Sequence, residues 1–88
     1  MKHNIMSIKD RLAGSFQRPW ASPSLAVAMR AFMDEIKNPE TALAKHPEDY
    51  DLYEVGEFDD DSGSMTSNLH SPRLLLSGIK AIEHEIAI

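Results

Sequence analysis

The strongest constraint on this chain is an apolar stripe at helical spacing, closed at both ends by proline. Leu25, Ala28, Met29, Phe32, Met33 and Ile36 recur at i, i+3, i+4, i+7, i+8 and i+11, with Arg30, Asp34 and Lys37 off the stripe. Ser22 is placed to cap this run, and Pro23 then takes the first helical position, where a missing N–H costs nothing. Asn38-Pro39 ends it, because a residue preceding proline is driven out of the α region. The spacing predicts a helix over 23–37 with Phe32 as a core anchor. Met29, Phe32 and Met33 read as core and not as a cofactor box.

A one-sided helix needs a surface to cover, and the rest of the chain offers strands. Residues 4–9 read as a short strand with Met6 and Ile8 on one face and Ile5 on the other. Residues 10–23 hold Gly14, Pro19 and Pro23 and read as a long loop, and 39–45 as one further helical turn before His46-Pro47. Tyr50 to Asp59 is the central strand, with Leu52 as its anchor. Tyr53 and Val55 share an apolar phase that Phe58 breaks, and Gly56 between them is where a β-bulge or close backbone approach is expected. Asp60-Asp61-Ser62-Gly63 is a turn, with Gly63 suited to the left-handed conformation, and Ser64 to Ser67 returns as a polar edge strand.

Ser71-Pro72 repeats the cap-plus-proline start and predicts a C-terminal helix whose seam is Leu75, Ile79, Ile82 and Ile86, with Gly78 weakening it. The order is then β-α-β-β-α. The fold class is α+β, a small antiparallel β-sheet packed against one main helix. Residues 1–68 form the core domain, and 69–88 a helical tail that serves as an oligomerisation element.

Size supports that last expectation. A chain of 88 residues buries only about 60–65% of the surface its unfolded form exposes. There is no cysteine to staple it, and marginal cores are often completed by self-association. Leu74-Leu75-Leu76 is the longest leucine run, far short of the ~20 residues of a membrane span, and no signal peptide is readable, so a cytoplasmic location is expected. The net charge of −5 is uneven: residues 1–37 carry +3 and residues 38–88 carry −8. The acidic balance makes the chain a poor general binder of phosphate backbone but leaves a local basic surface on the first half for contact with nucleic acid.

The stretch His46-Pro47-Glu48-Asp49-Tyr50, followed by an apolar pair, Val55-Gly56, Phe58-Asp59 and the turn to Gly63, resembles the small nonstructural protein of gokushovirus-type microviruses. Ser7-Ile8-Lys9-Asp10 with Phe16 and Pro19-Trp20 is similar to that family's N-terminal strand and aromatic-proline loop. Ala28, Arg30, Phe32 and Asp34 are similar to its helix. The likeness spans about residues 5–63 and departs at Ser22-Pro23-Ser24, where the family tends to carry Asn-Asp-Gly. The resemblance implies a nonstructural phage protein that assists viral single-stranded DNA synthesis, or its coupling to packaging, in the host cytoplasm. It supplies no catalytic residues.

Among the residues themselves, Lys9, Arg11, Phe16, Arg18 and Trp20 form a basic and aromatic constellation. Cations for phosphates and rings for bases are the two parts of a single-strand-binding surface. The plainer reading has Phe16 and Trp20 pinning their loop to the core while the charges are solvated. The acids Glu48, Asp49, Asp51, Glu54, Glu57, Asp59, Asp60 and Asp61 do not follow a calcium-loop spacing and read as a solvated face plus turn chemistry. His3, His46, His70 and His84 lack the spacing of a zinc site, and no serine sits in a nucleophile elbow. The expectation is a binding protein, not an enzyme, without cofactor or metal. Single-stranded DNA, a viral or host replication protein and a second copy of the chain are its candidate partners. An acidic adaptor docking on a replication protein and a capsid-assembly helper are the rival functions.

Overall fold

Alternation in the first ten residues sets the plan of the molecule. Met6 and Ile8 point to one side of strand β1 (Lys2–Asp10), and Ile5, Ser7 and Lys9 point to the other. A computed structural model describes residues 1–67 and 72–87, with side chains through Glu83. In it β1 is a central strand. One edge pairs with β2 (Ser15–Phe16) and β3 (Trp20–Ser22), and the other with β4 (Tyr50–Asp59). The far edge of β4 takes β5 (Met65–Ser67) at one end and β6 (Arg73–Ser77) at the other. The result is a six-stranded antiparallel sheet, four columns wide.

Helix α1 (Leu25–Lys37), the short α2 (Ala42–Lys45) and α3 (Gly78–Ala87) contribute to a single core on one face of this sheet. Met6, Ile8, Tyr50 and Leu52 meet Ala28, Phe32, Ile36, Leu43 and Ala81 there. Phe32, Met6 and Leu52 are its largest fully buried side chains. A 310 turn, Pro47–Asp49, leads into β4. The fold is α+β, as expected, and the central strand has the expected bounds.

Gly56 sits at the expected irregularity. Ile5 pairs with Gly56 and Met6 with Glu54, so Val55 is the extra residue of a β-bulge. A Cβ on Gly56 would overlap the Thr66 carbonyl oxygen of β5. The bulge returns Phe58 to the same face as Tyr53. Gly63 closes the following turn at φ +75°, and its N–H donates to the Asp59 carbonyl at 2.8 Å.

Three expectations are corrected. The loop at 10–23 contains two short strands, because the free edge of β1 offers unpaired N–H and C=O groups that Ser15–Phe16 and Trp20–Ser22 satisfy. The cap of α1 is Ser24, whose hydroxyl accepts from Val27 N–H, while Ser22 is buried at the end of β3 and donates to the Ser24 carbonyl. The C-terminal helix does not start at Ser71-Pro72. Ser71 lies outside the described residues, and Arg73–Ser77 is strand β6.

Pairing overrides helical spacing there: β6 covers the edge of β4 that β5 leaves open and sets Leu76 opposite Leu52. Arg73 binds the buried Glu54 at 2.8 Å and ties the strand down. The helix then begins at Gly78, its first turn capped by Ser77, whose hydroxyl accepts from Lys80 N–H at 3.1 Å. Residues 73–83 are therefore part of the same sheet and core, not a tail apart from them. The order is β-β-β-α-α-β-β-β-α.

Candidate nucleic-acid interface

With the core-forming helices on one face, the other face of the sheet is left without a helix among the described residues. The pairing register decides which side chains stand on it. Lys9 lies opposite Phe16, Ser7 opposite Tyr53, and Tyr53 opposite Leu74, and directly opposed residues share a face. Across one end of the sheet, β2, β1, β4 and β6 thus present Phe16, Lys9, Tyr53 and Leu74 in a row. Phe16 and Tyr53 meet edge to face, with centroids 5.2 Å apart and planes at 76°. The Lys9 ammonium stands 5.7 Å from the Phe16 centroid, within cation–π range. Phe16 is 42% and Leu74 54% exposed.

Local sequence builds this corner. The Asp10 carboxylate accepts from Leu12 and Ala13 N–H, and the N–H of Gly14, at φ +73°, returns to the Asp10 carbonyl at 2.9 Å. This tight turn places Phe16 beside Lys9. The Ser7 hydroxyl then donates to the Gln17 carbonyl at 2.7 Å, and Gln17 N–H to the Ile8 carbonyl at 2.7 Å, so the segment after Phe16 is held as well.

The structure divides the basic and aromatic constellation. Lys9 and Phe16 come together on the open face. Arg11 is committed to the carboxylate that stands opposite Lys9: its Nε lies 3.1 Å from the buried Asp51 carboxylate, and its guanidinium also donates to the Glu48 carbonyl. Arg18 is exposed and in no ion pair among the described residues. Trp20 lies opposite Met6 and packs against the core on the helical side, so for it the plainer reading holds. Tyr53 was read from sequence only as a strand residue. Its place beside Phe16 depends on the β1–β2 turn, for which Asp10 and Gly14 were the available signals.

The opposite end of the face has a different character. Ile5, Pro19, Trp20, Ala21, Phe58 and Met65 line a shallow apolar depression there. Beside it the Met1 ammonium is held by Asp60 at 2.7 Å and Asp61 at 2.8 Å, with Asp59 at 3.8 Å, and His3 reaches Asp60 at 2.8 Å. The hydrogen bond from the Met1 ammonium, then that from His3, lowers the Asp60 carboxyl below the usual range; Asp60 and then Asp61 raise the Met1 amine. Much of the acidic run is thus matched within the chain: Asp51 by Arg11, Glu54 by Arg73, Glu57 by Lys2, and the turn by the N-terminus.

Leu75, Ile79, Ile82 and Ile86 do not form one helical seam. Leu75 is the extra residue of a bulge in β6 and, like Ile82, packs against the chain's own core. Ile79 is 42% exposed, and the Ile86 side chain lies outside the described residues.

The sequence profile of a family described as Phage ORF5 protein matches residues 3–81. The chain belongs to this family of phage proteins. No curated protein and no solved structure matches it. The family match extends past β5 through β6 and into α3, the segment that completes the sheet and core, so the ORF5-family unit includes both. Among its described residues no helix is long and apolar enough to cross a membrane.

Proposed function

We propose that this ORF5-family chain is the small nonstructural protein of a gokushovirus-type microvirus. In this reading it assists viral single-stranded DNA replication, or its coupling to packaging, in the host cytoplasm, and holds single-stranded DNA on the open face of its sheet. The role is binding, with no catalytic step. The observation that carries it is the Lys9–Phe16–Tyr53 cluster: two aromatic rings beside a cation that is in no ion pair among the described residues, its cross-strand neighbour Asp51 being held by Arg11, on a face without a described helix. Rings exposed on a sheet offer π-faces to unstacked bases, and lysine offers a contact to the phosphate between them. Duplex DNA keeps its base faces stacked and is a poorer ligand for such a surface.

The test is a titration of the protein into labelled single-stranded and duplex oligonucleotides, followed by fluorescence anisotropy at several salt concentrations. Single strands should bind more tightly than duplex, more weakly as salt rises, and at least about tenfold more weakly to Phe16→Ala. Equal affinity for both forms, or full affinity in the variant, would overturn the reading. No affinity for DNA, together with co-purification of a replication protein, would favour the adaptor role instead.

A further inference from the structure

We infer that the bound strand occupies only one end of the open face. It crosses β2, β1, β4 and β6 as a run of two or three bases and does not travel along β4 towards Phe58. The inference rests on the single-strand reading above and adds the length and path of the ligand.

Three observations carry it. First, the uncommitted cations are at one end. Among the described residues Lys9 is in no ion pair, its cross-strand neighbour Asp51 being held by Arg11, and Arg18, two residues beyond Phe16, is exposed and in none, whereas at the other end His3 is bound by Asp60. Second, the far end repels phosphate. Asp60, which reaches His3 opposite Phe58, and Asp61 outnumber the Met1 ammonium that they hold, whereas Lys2, Glu57 and Asp59 stand on the helical side by register. Third, the row of side chains has a short span. From β2 to β6 there are three inter-strand steps of ~4.8 Å, about 14 Å in all, a width over which four-stranded sheets stack two or three bases. The apolar depression at Ile5, Ala21, Phe58 and Met65 lies beyond that row, on the side a phosphate backbone avoids.

Oligothymidylates of two, four, eight and sixteen nucleotides, titrated into the full chain and followed by amide chemical shifts, decide this. Affinity should rise from two to four nucleotides and then grow only with the number of overlapping registers. With about two phosphates contacted, the slope of log affinity against log salt should be about −1.4. Phe16→Ala, at an exposed position, should lose about tenfold or more, while Phe58→Ala should stay within about twofold. A further tenfold gain from four to eight nucleotides, a slope of about −3 or steeper, or a tenfold loss in Phe58→Ala would overturn the short footprint while leaving single-strand binding intact. Absence of binding at every length would overturn both.

Discussion

Gly78→Ala separates two accounts of the last helix, because they predict opposite signs. The glycine is not at positive φ, so alanine fits the backbone. On propensity and unfolded-state entropy alone the substitution should stabilise by about 0.4–1 kcal/mol. The packing predicts the reverse. A Cβ on Gly78 would overlap the Pro47 carbonyl oxygen and stand 2.8 Å from its carbonyl carbon, against ~3.5 Å or more for an ordinary contact. These are backbone atoms of the 310 turn that feeds β4, and they cannot rotate away. Relief requires α3 and that turn to part by roughly 1 Å, which loosens Ala81, 1% exposed, and Ile82 from the core. Overpacking of this kind costs about 1–3 kcal/mol. At about 4–8 °C per kcal/mol for a domain of this size, a net loss near 2 kcal/mol lowers Tm by roughly 8–16 °C. Thermal melts followed by circular dichroism measure it. A Tm equal to or above that of the parent chain would refute the close approach, and with it the docking of α3 on the turn.

Phe32→Ala should destabilise by about 3–5 kcal/mol, a large share of what an 88-residue domain has, and an unchanged urea midpoint would sink its role as anchor. Gly56→Ala should release β5 locally and spare the core, because β5 is exposed throughout; amide exchange should quicken at Met65–Ser67 while β1 stays protected. The clamp of Met1 on the acidic turn should have a pH window. Asp60 is lowered from 3.8, so its contribution is present above that value and fades as pH falls below it. The Met1 amine is raised from 8.0, so its contribution is present below that value and is lost as pH rises through the raised one. The Met1 Hα shift should therefore move as pH falls below the first limit and as it rises beyond the second, and an Hα shift that does neither counts against the clamp. Self-association, proposed from the small core and the exposed Leu74 and Ile79, predicts a species heavier than 9.9 kDa in sedimentation at micromolar concentration. A lone monomer refutes it.

What the sequence made legible was local. Helix 23–37, strand 50–59, the turn at Gly63 and the irregularity at Gly56 each rest on a signal within ten or so residues: an i, i+3, i+4 stripe, proline brackets, a glycine where apolar phase breaks. What it concealed was set by distant partners. Arg73–Ser77 carries leucines compatible with a helix, and only the exposed edge of β4, some twenty residues earlier, makes it a strand. Ser77 was a capping signal in plain view, overshadowed by the stronger Ser71-Pro72 pattern. Phe16 and Tyr53 are 37 positions apart in sequence, and their contact requires both the Asp10–Gly14 turn and the β1–β4 register. Lys9 and Phe16 were singled out on composition, but the face they share, and the removal of Trp20 to the opposite one, are properties of pairing.

Net charge is the clearest case in which a whole-chain quantity misleads about a site. A value of −5 argues against phosphate binding only if charge is spread evenly, and here it is not. Carboxylates at Asp51 and Glu54 are buried against Arg11 and Arg73, and those in the Asp59–Asp61 turn close on Met1 and His3. These pairs hold the hairpin, β6 and the N-terminus in place, so most of the acidity of the sheet serves its own assembly. Lys9, whose cross-strand neighbour Asp51 is held by Arg11, is in no ion pair among the described residues and stands beside the two rings on the open face. With a Debye length near 8 Å at physiological salt, a phosphate at Phe16 responds to Lys9 and Arg18 more than to a turn at the other end of a nine-residue strand some 30 Å long. An acidic chain can therefore carry an anion-binding corner, provided the carboxylates beside it, here Asp10 and Asp51, are spent on a turn and an ion pair and the acidic turn lies more than a screening length away.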